Sequence, residues 1–290
     1  NQRRPKFMID NFDIPKHIIN KIVENAIAED LGFLGDITSK SLSRKKTKIE
    51  ASINSNQDGV ISGLDIMELV FKNIDANTDI TNHLSDGDEV KNGAEIARVI
   101  GYSHSILAAE RVALNFLGHM SGIAGETNKY VKSIAKTKAK ILSTRKTTPG
   151  LRAIEKYAVR CGGGYNHRYG LDYGILIKDN HIKAAGGIEK ALEIIKNNKP
   201  YMTDIEVEVD TIEQFLECQR LDVRYILLDN MSPQYISECI KNNKNGAILE
   251  ASGGVNLSTV SDIAQTGVDF ISVGRLTHSS PSLDLSLHIL

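Results

Sequence analysis

Apolar residues recur along this chain with two different rhythms, and the change from one to the other divides it. Near the start the rhythm is helical. Asp13 and Pro15 open a helix whose apolar stripe is Ile18, Ile19, Ile22, Val23, Ala26 and Ile27. Alternation over Lys48–Ile53 and Gly59–Ser62 predicts strands, and a short helix follows at Met67–Phe71. Asp86-Gly87-Asp88 and Asn92-Gly93 mark tight turns ahead of a strand at Glu95–Ile100. The first hundred residues therefore read as mixed α+β.

From His104 to about Ala135 the pattern predicts a long helical connector. Its first part, Ile106 to Leu117, is apolar nearly all round, which is the signature of a buried helix. Arg111 falls inside it. Its neighbour Glu110 does not face it on a helix, so a buried Arg111 needs another anion. A structural ion pair and a functional anion both satisfy that need.

Beyond residue 139 short apolar strands alternate with helices. The strands are Lys140–Ser143, Gly174–Ile177, Ile205–Val209, Tyr225–Leu228, Ala247–Leu249 and Phe270–Val273. The helices are Leu151–Cys161, Ile188–Asn197, Ile212–Arg220, Tyr235–Asn242 and Leu257–Thr266. Such βα units in series predict parallel strands with right-handed crossovers, in a barrel or a doubly wound sheet. Six units fall short of eight, so the barrel expected is incomplete or irregular.

Polar residues crowd the ends of these strands, where barrel enzymes build their sites. Thr144, Arg145 and Lys146 follow the first strand and Lys178 the second. The third holds Glu206, Glu208 and Asp210 on one face, the fourth ends at Asp229, and Glu250 precedes Ser252, Gly253 and Gly254. The last strand runs through Ser272 and Val273 into Gly274. The glycine loops after the last two strands offer backbone amides suited to a phosphate. Glu208 and Asp229, with Glu206 and Glu250 near them in the pattern, suit Mg²⁺, directly or through waters and a diphosphate. Arg145, Lys146, His167, Arg168 and Lys178 are too many cations for one monoanion and suit a dicarboxylate, because guanidinium forks bind carboxylates in pairs. Neutralisation by the acidic residues accounts for some of them. Asn180-His181 and Gly162-Gly163-Gly164 read as turns that shape the rim.

Charge arithmetic sharpens this division. The formal charge of −1 excludes a polybasic nucleic-acid arm, yet residues 145–183 carry a net +5 and residues 204–229 a net −6. Arg152, Lys156, Glu213 and Glu217 fall on helices and are read as solvated. Cys161, Cys218 and Cys239 lack metal or disulfide spacing and suit a reduced, cytoplasmic setting. No apolar run reaches the roughly 18 residues of a membrane span. Asn1–Pro5 is polar and basic with no apolar region behind it, unlike a signal peptide; residues before Met8 are left out of the fold reasoning. Zinc-ligand spacing and a GxSxG elbow are both missing from the sequence.

Gly87 to Val90, with Gly93 and Ile96, resembles a lipoyl-type hairpin but has no Met-Lys-Met, and is read as structural. A wider likeness runs nearly end to end. The blocks Glu29-Asp30-Leu31-Gly32 with Gly35-Asp36-Ile37-Thr38, Glu110-Arg111 with Leu117-Gly118-His119-Met120-Ser121-Gly122, and Thr144 to Arg152 resemble the quinolinate phosphoribosyltransferase family. So do Asn166-His167-Arg168, Lys178-Asp179-Asn180-His181, Glu206-Val207-Glu208, Leu228-Asp229-Asn230, Glu250 to Gly254 and Val273-Gly274. Two departures are a longer gap between Gly32 and Gly35, and Arg275 where a small residue is usual.

The resemblance implies a type II phosphoribosyltransferase-like α/β fold. An α/β sandwich over 1–115, joined by 278–290, would precede an irregular, incomplete α/β barrel over 116–277. It implies a homodimer or higher assembly in which Arg111 reaches the neighbouring site. Arg145, His167, Arg168 and Lys178 would hold quinolinate and Lys146 phosphoribosyl diphosphate, with Thr144 a further substrate-binding residue. Glu208 and Asp229 would serve ribose and the Mg²⁺–diphosphate side, and the Ser252–Gly254 and Gly274 loops the 5-phosphate, with Ser272 and Val273 further substrate-binding residues. The implied reaction gives nicotinate mononucleotide, diphosphate and CO₂, in NAD biosynthesis, with no nucleic-acid or membrane partner. Alternatives are a paralogue acting on another ring acid, a phosphosugar lyase or isomerase on the same barrel, and a non-catalytic binding protein.

Overall fold

In a computed structural model of the chain, residues 14–42 and 47–290 are described. Asn1–Pro5 and Asp13, on which two of the readings above rest, lie outside them. In chain order the elements begin α1 (Lys16–Leu31), α2 (Ile37–Leu42), β1 (Lys48–Ser55), β2 (Gly59–Val60), α3 (Leu64–Ile74), β3 (Asp79–Asn82), β4 (Glu89–Val90), β5 (Glu95–Tyr102) and α4 (Ser103–Ser133). Then come β6 (Lys140–Ser143), α5 (Arg152–Cys161), β7 (Tyr165–Asn166), β8 (Ile175–Ile177), α6 (Asp179–Ala185), α7 (Ile188–Asn198), β9 (Ile205–Val209) and α8 (Ile212–Arg220). The chain finishes with β10 (Tyr225–Asp229), α9 (Pro233–Lys241), β11 (Ile248–Ser252), α10 (Val260–Gln265), β12 (Phe270–Ser272), α11 (Arg275–His278) and β13 (Leu285–Ile289). They form two compact units: one takes the chain up to Asn128 with Thr147–Gly163 and Leu276–Leu290, the other Lys129–Lys146 and Gly164–Arg275.

The first unit is built on an antiparallel sheet of order β13-β1-β5-β3. The alternation read in the sequence puts Ala51 opposite Val99 and Ile53 opposite Ala97, and all four are buried. The helix α4 departs from its predicted burial. Leu107, Arg111 and Asn115 are exposed at a spacing of four, while the residues between them are buried or half-buried. The Arg111 side chain is 67% exposed, and its guanidinium lies 3.9 Å from Glu110. Arg111 is therefore not a core arginine. Leu107 at the head of that stripe made a narrow exposed face look apolar.

Farther along α4, Gly122 lets the strap at Pro281–Ser282 lie directly on the helix. A Cβ there would collide with the Pro281 carbonyl oxygen and stand 3.0 Å from Ser282 Cα. One turn earlier, Leu283 donates its backbone N–H to the Gly118 carbonyl at 2.9 Å. The helix α5 is also embedded in this unit. Its buried Glu155 accepts from the Thr148 backbone N–H at 3.1 Å and meets His119 Nε2 at 3.0 Å. Lys156, read as solvated, is 1% exposed, because seven of the ten α5 residues are buried.

The second unit is a wholly parallel seven-stranded sheet of order β7-β6-β12-β11-β10-β9-β8. The first strand, β6, pairs with the last, β12, so the sheet curls round; β7 and β8 are its edges and leave it open. This is the incomplete barrel that the βα pattern predicts. Register puts Val207, Ile226 and Leu249 in one row of a buried face. The other face carries Glu206, Glu208, Asp229, Glu250, Ser252 and Ser272, by the period-two rule. The two-residue β7 and the helix α6 are additions to the predicted elements. Asn180-His181 reads as a turn but lies in the first turn of α6, where His181 Nδ1 accepts the Lys178 backbone N–H at 3.0 Å.

Candidate active site

The parallel sheet collects the predicted polar residues at one edge, because every strand points its C-terminus the same way. Thr144 caps the turn after β6: its Oγ1 accepts the Lys146 backbone N–H at 3.0 Å. Thr144 thus shapes the loop that carries Arg145 and Lys146. Behind it, Ser143 donates to Asn166 Oδ1 at 2.8 Å and ties β6 to β7. That pairing aims the next two residues, His167 and Arg168, at the same edge.

Arg168 is held at both ends. Its backbone N–H donates to His167 Nδ1 at 2.8 Å, and its Nη1 donates to the Gly174 carbonyl at 2.9 Å. Burial and then repulsion from Arg145 depress its pKa, with partial relief from Glu206. A partly buried guanidinium with a second one near it is an arrangement suited to an anion.

The acidic face is not a separate compartment. Lys178 Nζ lies 2.6 Å from Glu208 Oε2, and His167 Nε2 lies 2.8 Å from Glu206 Oε2 and 3.6 Å from Glu250 Oε2. The basic and acidic blocks of the sequence therefore neutralise one another in part across β8 and β9. Glu250 is 4% exposed and accepts a 2.5 Å hydrogen bond from Ser272 Oγ. Burial, reinforced by the Glu206 charge, pushes its pKa up to about 7 against the pull of His167 and Ser272. Ser272, predicted to bind substrate, is itself buried and spends its hydroxyl on Glu250.

Asn230 stands in one of the family-like blocks but carries no role in the sequence reading, although Asn is one of the few residues at home at positive φ. It sits at φ 54, donates its side-chain amide to Asp229 Oδ2 at 2.7 Å, and donates its backbone N–H to the Ser252 carbonyl at 2.8 Å. Gly253 makes room for it. A Cβ on Gly253 would collide with Asn230 Oδ1 and stand 2.8 Å from its backbone nitrogen. Gly254, at φ 62, has open space around it, and Gly274 leads directly into α11, whose first residue is Arg275.

In the first unit, Arg111 lines a cavity of about 330 Å³ together with Asn115, His119, Ser282 and Asp284. Phe33 and Leu34, the residues of the longer Gly32–Gly35 gap, are both strongly exposed.

A model of the quinolinate phosphoribosyl transferase N-terminal domain matches residues 36–121, and one of the C-terminal domain matches residues 123–288. The chain belongs to the quinolinate phosphoribosyltransferase family. A Bacillus subtilis (strain 168) protein named "Probable nicotinate-nucleotide pyrophosphorylase (carboxylating)" is 41% identical over 271 residues, covering 93% of each chain. A Nicotiana glauca quinolinate phosphoribosyltransferase (decarboxylating) is 40% identical, over 95% of this chain and 83% of its own. The solved nicotinate-nucleotide pyrophosphorylase of Francisella tularensis superposes with a TM-score of 0.91 at 38% identity, over 96% of this chain and 98% of that one. Relatives of this family thus match the chain across both units. No described helix is long and apolar enough to cross a membrane.

Proposed function

We propose that the chain transfers a phosphoribosyl group from phosphoribosyl diphosphate to quinolinate and releases nicotinate mononucleotide, diphosphate and CO₂. The observation that carries this reading is the placement of Arg145, Arg168 and Lys178 at the C-terminal ends of β6, β7 and β8, cations suited to a dicarboxylate. Lys178 would take part by exchanging its Glu208 partner for a substrate carboxylate. The exposed Arg111 would be lent to the site of a second copy of the chain.

The donor set also fits Mg²⁺. Glu208 and Asp229 are carboxylates on one face of adjacent strands, one held by Lys178 and the other by Asn230. The only cluster of three close metal-type ligands among the described residues is His167, Glu206 and Glu250, which does not include them. Two carboxylates suit an ion that keeps waters and substrate phosphate oxygens in its shell. When bound, Mg²⁺ neutralises charge on the departing diphosphate.

In the transfer the pyridine nitrogen attacks ribose C1 as the C1–O bond to diphosphate breaks. Lys146 meets the leaving charge, while Glu208 and Asp229 fix the ribose hydroxyls and favour the positive charge developing at C1. With the ring nitrogen quaternised, the adjacent C–CO₂ bond breaks and its electron pair stays on a carbon beside N⁺. That carbon then takes a proton from water. The protein's part is to position a dianion beside an electrophile, for which no covalent nucleophile is needed. Incubation of the protein with quinolinate, phosphoribosyl diphosphate and Mg²⁺ should yield nicotinate mononucleotide and CO₂. A folded protein that forms neither overturns the reading.

A further inference from the structure

The basic side of the site holds one residue whose contacts do not suit the role of a charged substrate ligand. His167 Nδ1 accepts the Arg168 backbone N–H at 2.8 Å, so that nitrogen carries its lone pair. Its Nε2 lies 2.8 Å from Glu206 Oε2, an acceptor, so Nε2 carries the proton. Behind this contact stands Glu250 Oε2, 3.6 Å from the same nitrogen, and Ser272 Oγ donates to the other oxygen of Glu250 at 2.5 Å. The hydrogen bonds therefore run from Glu206 of β9 to His167, just past β7, with the hydrogen-bonded Ser272–Glu250 pair of β12 and β11 standing behind them. They terminate at the backbone of Arg168, whose guanidinium is tied to the Gly174 carbonyl at 2.9 Å.

We infer that His167 is a neutral Nε2–H imidazole acting as a positioning residue for Arg168, with Glu206 fixing its tautomer and the Ser272–Glu250 pair behind it. The inference rests on the proposed function for one clause only, that Arg168 receives the diacid. A second proton on Nδ1 would set one N–H against another, breaking the bond to Arg168. It would also add a third positive charge beside Arg145 and Arg168. Outer hydrogen bonds of this kind are how proteins choose a histidine tautomer and hold its ring at one angle. What the ring then fixes is the Arg168 main chain, so the guanidinium meets its ligand already aimed.

The tautomer can be read directly. In protein labelled with ¹⁵N-histidine at pH 7.5, long-range ¹H–¹⁵N correlation should show His167 with Nε2 protonated and Nδ1 bare. The His167→Asn spectrum supplies the assignment. The same pattern should persist with saturating phthalate, a benzene diacid in place of quinolinate. An imidazolium or an Nδ1–H tautomer, in either spectrum, overturns the inference. The spectrum of the free protein decides it alone, so a diacid that does not bind counts against the proposed function instead. A second arm uses substitution. His167→Asn keeps an acceptor, Oδ1, where Nδ1 stood, and should hold quinolinate within about threefold of the parent, whereas His167→Ala should lose about tenfold. Equal losses in the two variants, with both folded, overturn the positioning role.

Discussion

Asp229 illustrates how much of a site is decided by residues that touch no substrate. Its carboxylate is steadied by Asn230, which sits at φ 54 and fits only because Gly253 has no Cβ. Gly253 therefore has a packing reason to be glycine, apart from any phosphate. Gly253→Ala should cost about 1–3 kcal/mol in urea unfolding, the usual penalty of forcing an extra carbon into a filled space. It should also raise KM for phosphoribosyl diphosphate. Gly254→Ala, in open space, should lose only the roughly 1–2 kcal/mol of a non-glycine residue at positive φ. Glu250 carries a second prediction at this scale. Its pKa is raised from 4.5 to about 7, so between those values the folded chain binds a proton that the unfolded chain has released. Stability from this group is complete below about 4.5 and disappears as pH rises through about 7. Thermal melts should show Tm of the parent falling between pH 5 and pH 8 by more than that of Glu250→Gln. Parallel curves would mean that Glu250 is ionised throughout. Residue type and strand position marked Glu206, Glu208, Asp229 and Glu250 as a group in the sequence. Which of them is buried, and which pairs with Lys178, depends on register between strands far apart in the chain.

Elements were legible wherever one period held for a full run. Lys140–Ser143 and Ile205–Val209 have the predicted bounds, because strands buried in a parallel sheet read as short apolar runs between turns. The strand β7 was not legible: two residues after three glycines carry no period. Nor was α6, whose opening Lys-Asp-Asn-His has the composition of a turn and becomes helical through its cap. The helix α4 is legible as a helix but its burial is not, since one leucine in its exposed stripe hides the amphipathicity that Arg111 and Asn115 mark. Its glycines permit a test in which local propensity and packing predict opposite signs. In an isolated helix Gly→Ala gains about 1 kcal/mol. At Gly122 the new Cβ would strike the Pro281 carbonyl oxygen, so Gly122→Ala should lower stability by about 1–3 kcal/mol. Urea midpoints decide the sign, and a stabilised variant would show that the strap over Pro281–Leu283 yields readily.

Over the whole molecule the formal charge of −1 conceals a +5 block and a −6 block. The pairs Lys178–Glu208 and His167–Glu206 show that part of this segregation is mutual neutralisation. Beyond those pairs, Arg145 lowers the pKa of Arg168 in one unit, and Arg111 is largely exposed in the other. An exposed arginine on a helix is ordinary, so exposure alone does not make Arg111 functional. A sharing test does. If two copies exchange Arg111, a chain with Arg111→Ala and a chain with Lys146→Ala are each inactive alone but complement when co-expressed. Within a mixed dimer one site would lack both residues, and the other would have its own Lys146 and its partner's Arg111 intact. Random pairing makes half of the dimers mixed, so about a quarter of all sites recover, and steady-state activity should reach about a quarter of the parent's. The recovered sites should show the parent's KM for quinolinate, because each is chemically complete. If Arg111 serves the barrel of its own chain, mixing restores nothing, since every barrel then lacks one of the two residues. The sign and size of the recovery thus separate a lent arginine from a resident one without a structure of the assembly.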